Sequence, residues 1–293
     1  MKNIVTENSN KKSCDIDLMD TKNILKTIND EDMKVARAVK KSLADIEKAV
    51  DIIVERVLRG GRVAYFGAGT SGRLGVLDVS ELWPTFSLED GVFYGFIAGG
   101  DKALRSSVEG AEDIEEEAID DIKKFKPAKN DVVVGISASG NPTYVLKALE
   151  LARKKGAKTV GVTSNERAKL REFADILIVT KVGPEVISGS SRMKSGSAQK
   201  MVLNMISTAT MVKIGKTYSN YMIDLQLACD KLVSRGNNII ATICKIDVAK
   251  ADFYRIKANN NVKVACVMCK KQCSYEEAVE LLKQNNGILR KVI

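Results

Sequence analysis

The chain has 293 residues, with 46 Lys plus Arg against 37 Asp plus Glu for a net charge of +9, and it contains no histidine. Without His there is no Ser-His-Asp or Cys-His catalysis, no imidazole base and no His-ligated metal, which leaves carboxylates, Lys, Tyr, Ser and Cys as chemical actors. At 45% hydrophobic and 28% charged residues, the composition is that of a packed globular protein and excludes disordered and fibrous classes.

In chain order, MKNIVTENSNKKSCDIDL lacks the apolar run of a signal peptide, and the longest uncharged stretch, 132–146, is too short to cross a bilayer. A cytoplasmic protein with no membrane partner is expected. Asn29-Asp30-Glu31-Asp32 is expected to open one long amphipathic helix over 33–58, with Val35, Val39, Leu43, Ile46, Val50 and Ile53 at helical spacing and Gly60-Gly61 as its stop. Apolar runs at 63–66, 92–97, 132–137, 159–163 and 176–180 alternate with helical patterns. Strands covered on both faces read this way, so the fold class is α/β with a doubly wound, parallel, five-stranded sheet. Ligands of such sheets bind at the carboxyl ends of the strands. A second long helix is expected over 198–214. From residue 237 short helices follow, one opened by the capping box Ser274-x-x-Glu277. The expected domains are 1–236, carrying the sheet, and a small all-helical C-terminal domain, 237–293.

The spacing Cys266-x-x-Cys269-x-x-x-Cys273 resembles a metal motif, but those positions share one helix face and read as buried thiols, so no metal is assigned. Residues 240–293 carry +5 of the net charge with few aromatics and no binding motif. They read as a solvated basic face with no nucleic-acid partner.

Three loops carry the chemistry. Gly67-Ala68-Gly69-Thr70-Ser71-Gly72-Arg73 follows the first strand and precedes a helix; its glycines admit an anion to the backbone, and Thr70 and Ser71 suit a terminal phosphate. Ser137-Ala138-Ser139-Gly140-Asn141-Pro142-Thr143 repeats the arrangement after the third strand, offering Ser137 and Ser139. The third, 188–197, precedes a helix and offers Ser190, Ser191 and Lys194. Any one of them reads equally as a tight turn with a helix cap; the three together point to a small phosphorylated ligand. The acidic candidates are Glu81, Glu109 and Glu112, whereas Glu115-Glu116-Glu117 reads as a solvated helix face.

The run Gly67 to Asp78 with Ser80-Glu81, then Ala98-Gly99-Gly100, Glu109-Gly110-Ala111-Glu112-Asp113 and Gly189-Ser190-Ser191-Arg192-Met193-Lys194 closely resembles the N-acetylmuramic acid 6-phosphate etherase family, built on a sugar isomerase (SIS) domain. The resemblance implies a SIS-type sheet and cleavage of the lactyl ether of that sugar phosphate by elimination and hydration, giving N-acetylglucosamine 6-phosphate and D-lactate in cell-wall recycling. It implies no metal or nucleotide cofactor, and a homodimer. Matched residue by residue, it makes Glu81 the proton donor and Glu112 the second catalytic glutamate, and two carboxylates meet the demands of this chemistry without His. The alternatives are a sugar phosphate isomerase, or a non-catalytic sugar phosphate sensor resembling the glucokinase regulatory protein, whose two tandem SIS domains make a longer chain.

Overall fold

A computed structural model describes residues 7–293 and groups them into two compact units, one made of residues up to Ser80 with Gly91–Ser207, the other of Glu81–Asp90 with Thr208–Ile293. The first unit opens with two helices, α1 (Thr21–Lys40) and α2 (Leu43–Leu58). The single helix expected over 33–58 is therefore two. The first starts twelve residues earlier, where the Asp20 carboxylate accepts the Asn23 N–H at 2.8 Å. The chain breaks at Lys41-Ser42, and the Ser42 hydroxyl donates to the Val179 carbonyl at 2.7 Å.

Five parallel strands follow, β1 (Val63–Gly67), β2 (Phe93–Ile97), β3 (Val132–Ile136), β4 (Lys158–Thr163) and β5 (Ile176–Val179), in the order β2-β1-β3-β4-β5. Every residue of the central strands β1 and β3 is buried, which is why these strands are continuously apolar rather than alternating. Residues of β1 divide between the faces. Ala64 and Phe66 join a core with Val133 and the helices α6 (Glu115–Phe125) and α7 (Thr143–Lys154). On the other face Tyr65 and Ile136 meet α3 (Gly69–Ser80), so closely that a side chain at Gly75 would approach both at 3.3 Å. The sheet is thus covered on both sides, as its hydrophobicity requires. Between β2 and α6 lie the short helix α5 (Gly100–Arg105) and a 3-10 turn, Ala111–Asp113. The last element is α8 (Lys194–Lys213), whose residues up to Ser207 belong to this unit. It starts four residues before the expected 198.

The second unit is mainly helical: α4 (Leu82–Phe86), α9 (Asp230–Cys244), α10 (Val248–Lys257), α11 (Val262–Lys271) and α12 (Tyr275–Gln284), with a two-residue hairpin pairing Thr217–Tyr218 with Tyr221–Met222. Its core gathers Ile240, Ala251, Cys266, Val267, Ala278 and Leu289. Polar residues start the helices where the sequence places them: Asp247 caps α10, Asn261 caps α11, and Ser274 with Glu277 forms the full capping box of α12. Cys266 and Cys269 are buried on α11 as expected, but Cys273 lies beyond the helix end, after Gln272 at φ +53°.

Candidate active site

The order β2-β1-β3-β4-β5 sends successive connections in opposite directions from β1 and β3, so the topological switch point lies between their carboxyl ends. Gly67 pairs in register with Ile136. The loop carrying Thr70 and Ser71 and the loop carrying Ser137 and Ser139 therefore leave the sheet side by side. Two of the three loops read from the sequence are brought together by strand order alone.

The first loop is held by close backbone approach. A side chain at Gly67 would meet the Gly72 nitrogen at 2.6 Å, and one at Gly72 would meet both the Gly67 carbonyl oxygen and Ile97 Cγ1 at 2.6 Å. No larger residue fits either position without moving main chain. Thr70 is half-buried, and Ser71 is buried with its hydroxyl donating to Gln199 Oε1 on α8 at 2.9 Å. Gln199 Nε2 and Ser195 Oγ are buried without hydrogen-bond partners among the described residues. The sequence did not single out Gln199; only its fold neighbour, 128 residues away, marks it.

The second loop is braced by its own hydroxyls. Ser137 Oγ accepts the Gly140 N–H at 3.0 Å and lies 3.4 Å from Ser139 Oγ. Gly140 takes φ +69°, and a side chain there would come within 2.3 Å of Ala168 Cβ. Helix α7 then begins after Pro142 with no side-chain cap, leaving its first N–H groups and the positive end of its dipole for an anion.

The third loop is different. The Lys194 and Ser195 N–H groups that start α8 each donate to the buried Glu185 carboxylate at 2.9 Å. Lys194 Nζ, itself buried, reaches Glu31 Oε2 at 2.7 Å. The helix N-terminus and the lysine charge expected to serve a phosphate are both engaged by the protein's own carboxylates. Burial alone would raise the Glu31 carboxyl, but hydrogen bonds from Lys194, Lys34 and Asn10, with the Lys194 charge, outweigh it and hold the group down at about 2. Ser190 and Ser191 are half-buried in the turn before α8, where the Gly196 N–H donates to the Ser191 carbonyl at 2.9 Å.

Among the acidic candidates, Glu112 sits in the 3-10 turn Ala111–Asp113 behind Gly110 at φ +76°. It is solvent-accessible, yet partial desolvation by the surrounding protein, with the charges of Asp113 and Glu109, raises its carboxyl above the ordinary value. Glu109 accepts from Ser107 Oγ at 2.5 Å and is exposed. Glu81 is exposed and directly precedes α4 in the second unit. The run 115–117 is less idle than expected. Glu115 pairs with Lys147 at 3.0 Å, and Glu117 Oε2 accepts the Gly99 N–H at 2.6 Å, fixing the loop after β2.

Residues 45–153 match the glucokinase regulatory protein N-terminal SIS domain family and residues 125–209 the SIS domain family. Over 293 residues the chain is 46% identical to the N-acetylmuramic acid 6-phosphate etherase of Bacillus cytotoxicus, covering all of both chains. It is 46% identical to that of Pseudothermotoga lettingae, covering all of this chain and 98% of the relative, and 45% identical to that of Clostridium beijerinckii, covering 96% of the relative. Among solved structures, phosphoheptose isomerases of Neisseria gonorrhoeae (TM-score 0.51, 14% identity, 65% of this chain and 98% of that one) and Francisella tularensis (TM-score 0.50, 16% identity, 66% and 98%) share the fold.

Proposed function

Because the chain belongs to the N-acetylmuramic acid 6-phosphate etherase family of carbon–oxygen lyases, we infer how its own residues break the lactyl ether of N-acetylmuramic acid 6-phosphate, releasing D-lactate and N-acetylglucosamine 6-phosphate during amino sugar recycling. The observation that carries the reading is the pair of Ser/Gly loops at the adjoining carboxyl ends of β1 and β3, one of them opening the uncapped helix α7. They suit a terminal phosphate, with Thr70, Ser137 and Ser139 as hydroxyl contacts and Ser190 and Ser191 added from the turn before α8. Ser71, turned to Gln199, fixes the shape of the first loop and reaches the phosphate only by releasing that bond.

An anchored phosphate orients the far end of the open-chain sugar, so that binding energy remote from the ether is used to position C2 and C3. The C2 proton is acidic only because it lies alpha to the C1 aldehyde. Removing it calls for a carboxylate of raised proton affinity, and Glu112, partly desolvated and beside Asp113 and Glu109, supplies one. Glu81 protonates the ether oxygen as the C3–O bond breaks, lactate leaves, and water then adds at C3 of the unsaturated aldehyde. The reading includes a homodimer working in the cytoplasm.

The test is lactate release. Purified protein incubated with N-acetylmuramic acid 6-phosphate in ¹⁸O water is expected to give D-lactate without label and N-acetylglucosamine 6-phosphate labelled at C3; label in the lactate instead would overturn the elimination route. Glu81→Gln and Glu112→Gln should each abolish turnover while product still binds, and full activity in either removes that residue from its role. An isomerase or a sensor would release no lactate at all.

A further inference from the structure

A cavity of ≈350 Å³ in the first unit lies apart from the loop residues Thr70, Ser71, Ser137 and Ser139, none of which lines it. Its wall is unusually one-signed. Lys34, Arg37 and Lys41 enter from α1 and the turn after it, Lys181 from the segment that leaves β5, and Lys194 from the start of α8, against the single carboxylate of Glu31. The spacing i, i+3, i+7 puts the first three cations on one side of a helix, where like charges oppose folding. Partners are short for this set. Glu31 is shared by Lys34 and Lys194, Lys181 pairs with Glu166, and Arg37 and Lys41 have no anionic partner among the described residues.

The floor of the cavity is built rather than incidental. Lys194 and Glu31 are each 1% exposed and hydrogen-bonded at 2.7 Å. The Asn10 amide, also buried, donates to the Pro184 carbonyl at 3.2 Å and fixes the opposite wall. The Ser42–Val179 hydrogen bond ties the end of α1 to the end of β5, so the two walls bearing the cations cannot simply drift apart to relieve their repulsion. A volume of this size accepts a small metabolite, and guanidinium with ammonium groups around a recess is the donor set that phosphate oxygens use.

We propose that this cavity is a second anion site, separate from the substrate-phosphate loops, that takes a small phosphate-bearing molecule on Arg37 and Lys41 with support from Lys34 and Lys181. The ligand's phosphate occupies the mouth and faces the two unpaired cations, while the Lys194–Glu31 pair closes the floor. Neither Arg37 nor Lys41 belongs to the machinery assigned to ether cleavage, so the site stands or falls independently of that reading.

The experiment titrates inorganic phosphate, then pyrophosphate, into the whole protein at low ionic strength, followed by calorimetry and ³¹P NMR. It is run with and without saturating N-acetylglucosamine 6-phosphate, which occupies the other phosphate position. The expected result is a binding event that persists in the presence of the sugar phosphate, is tighter for pyrophosphate, and weakens about tenfold in each of Arg37→Ala and Lys41→Ala. Both residues are exposed, and circular dichroism with lactate release checks that each variant remains folded and active. Competition by the sugar phosphate would overturn the proposal by assigning the anion to the substrate position. Unchanged affinity in both variants would overturn it by showing an adventitious ion only.

Discussion

Replacing Glu31 by Gln tests the buried charge arrangement at the start of α8 most directly. The change keeps the shape of the side chain but leaves the Lys194 ammonium, 1% exposed, without its counter-ion. Two routes give the magnitude. Holding a carboxyl at about 2 rather than at 4.5 corresponds to about 3 kcal/mol of stability at neutral pH, and stranding one member of a buried ion pair costs about 3–5 kcal/mol in measured cases. The two routes meet at the lower end, so a loss of about 3 kcal/mol is expected. The sign with pH follows from the depressed value. The stabilisation is fully present above pH 4.5 and is lost as pH falls toward 2, so the gap between wild type and Glu31→Gln should be nearly unchanged at pH 5 and roughly halved by pH 3. Urea titrations followed by far-UV circular dichroism measure it, and the fluorescence of Trp83, the single tryptophan, which belongs to the second unit, reports on that unit alongside. A gap below about 1 kcal/mol at pH 7, or one that stays constant down to pH 3, would refute the reasoning. The double variant Glu31→Leu with Lys194→Met should recover much of the loss, because removing both charges leaves neither stranded.

Glu112 predicts an acidic limb in the pH dependence of kcat/KM. As the base it must be deprotonated, so activity should rise with pH through a value above 4.5, and Asp113→Asn with Glu109→Gln, which remove the neighbouring like charges, should move that limb to lower pH. Gly72→Ala forces a methyl against the Gly67 carbonyl and Ile97; a destabilisation of about 1–3 kcal/mol, read as a lower Tm, is expected together with loss of lactate release. Asp131 is buried and accepts the Arg62 N–H at 2.8 Å, Arg62 Nη2 at 2.6 Å and the Ala128 N–H at 2.9 Å. Asp131→Ala should therefore lower stability by about 3 kcal/mol or more while leaving KM for the sugar phosphate unchanged in whatever fraction stays folded.

The sheet was legible in the sequence because strands covered on both faces have no solvent side to interrupt them. Each apolar run from 63–66 to 176–180 falls within a residue of an observed strand end. The loops after β1 and β3 were legible as strand-to-helix turns for a related reason, since clustered glycines and hydroxyls interrupt the apolar pattern where each strand ends. What stayed hidden depended on distant partners. The apolar spacing of Val39, Leu43 and Ile46 runs smoothly across Lys41-Ser42, and the break is fixed by a carbonyl of β5 that no local pattern announces. Glu31 looked like part of an acidic helix start, yet it lies inside α1 and is buried because Lys194, 163 residues on, meets it there. Lys194 looked like a phosphate ligand because lysine beside serines at a helix start is what such a ligand resembles; its burial against Glu31 had no local signal. Gln199 had no local signal at all.

Glu185 has a consequence for anyone who would rebuild this scaffold. By accepting the first two amide N–H groups of α8 on its carboxylate, it behaves as a permanently tethered substitute for a bound oxyanion. Whether a helix start of this unit is open to an anion is thus decided by a side chain of the protein as well as by its strand order. Exchanging Glu185 for a small neutral residue would turn α8 from a sealed position into an open one, and an engineer seeking to accommodate a bisphosphorylated sugar would begin there rather than in the serine-rich turn that first draws attention.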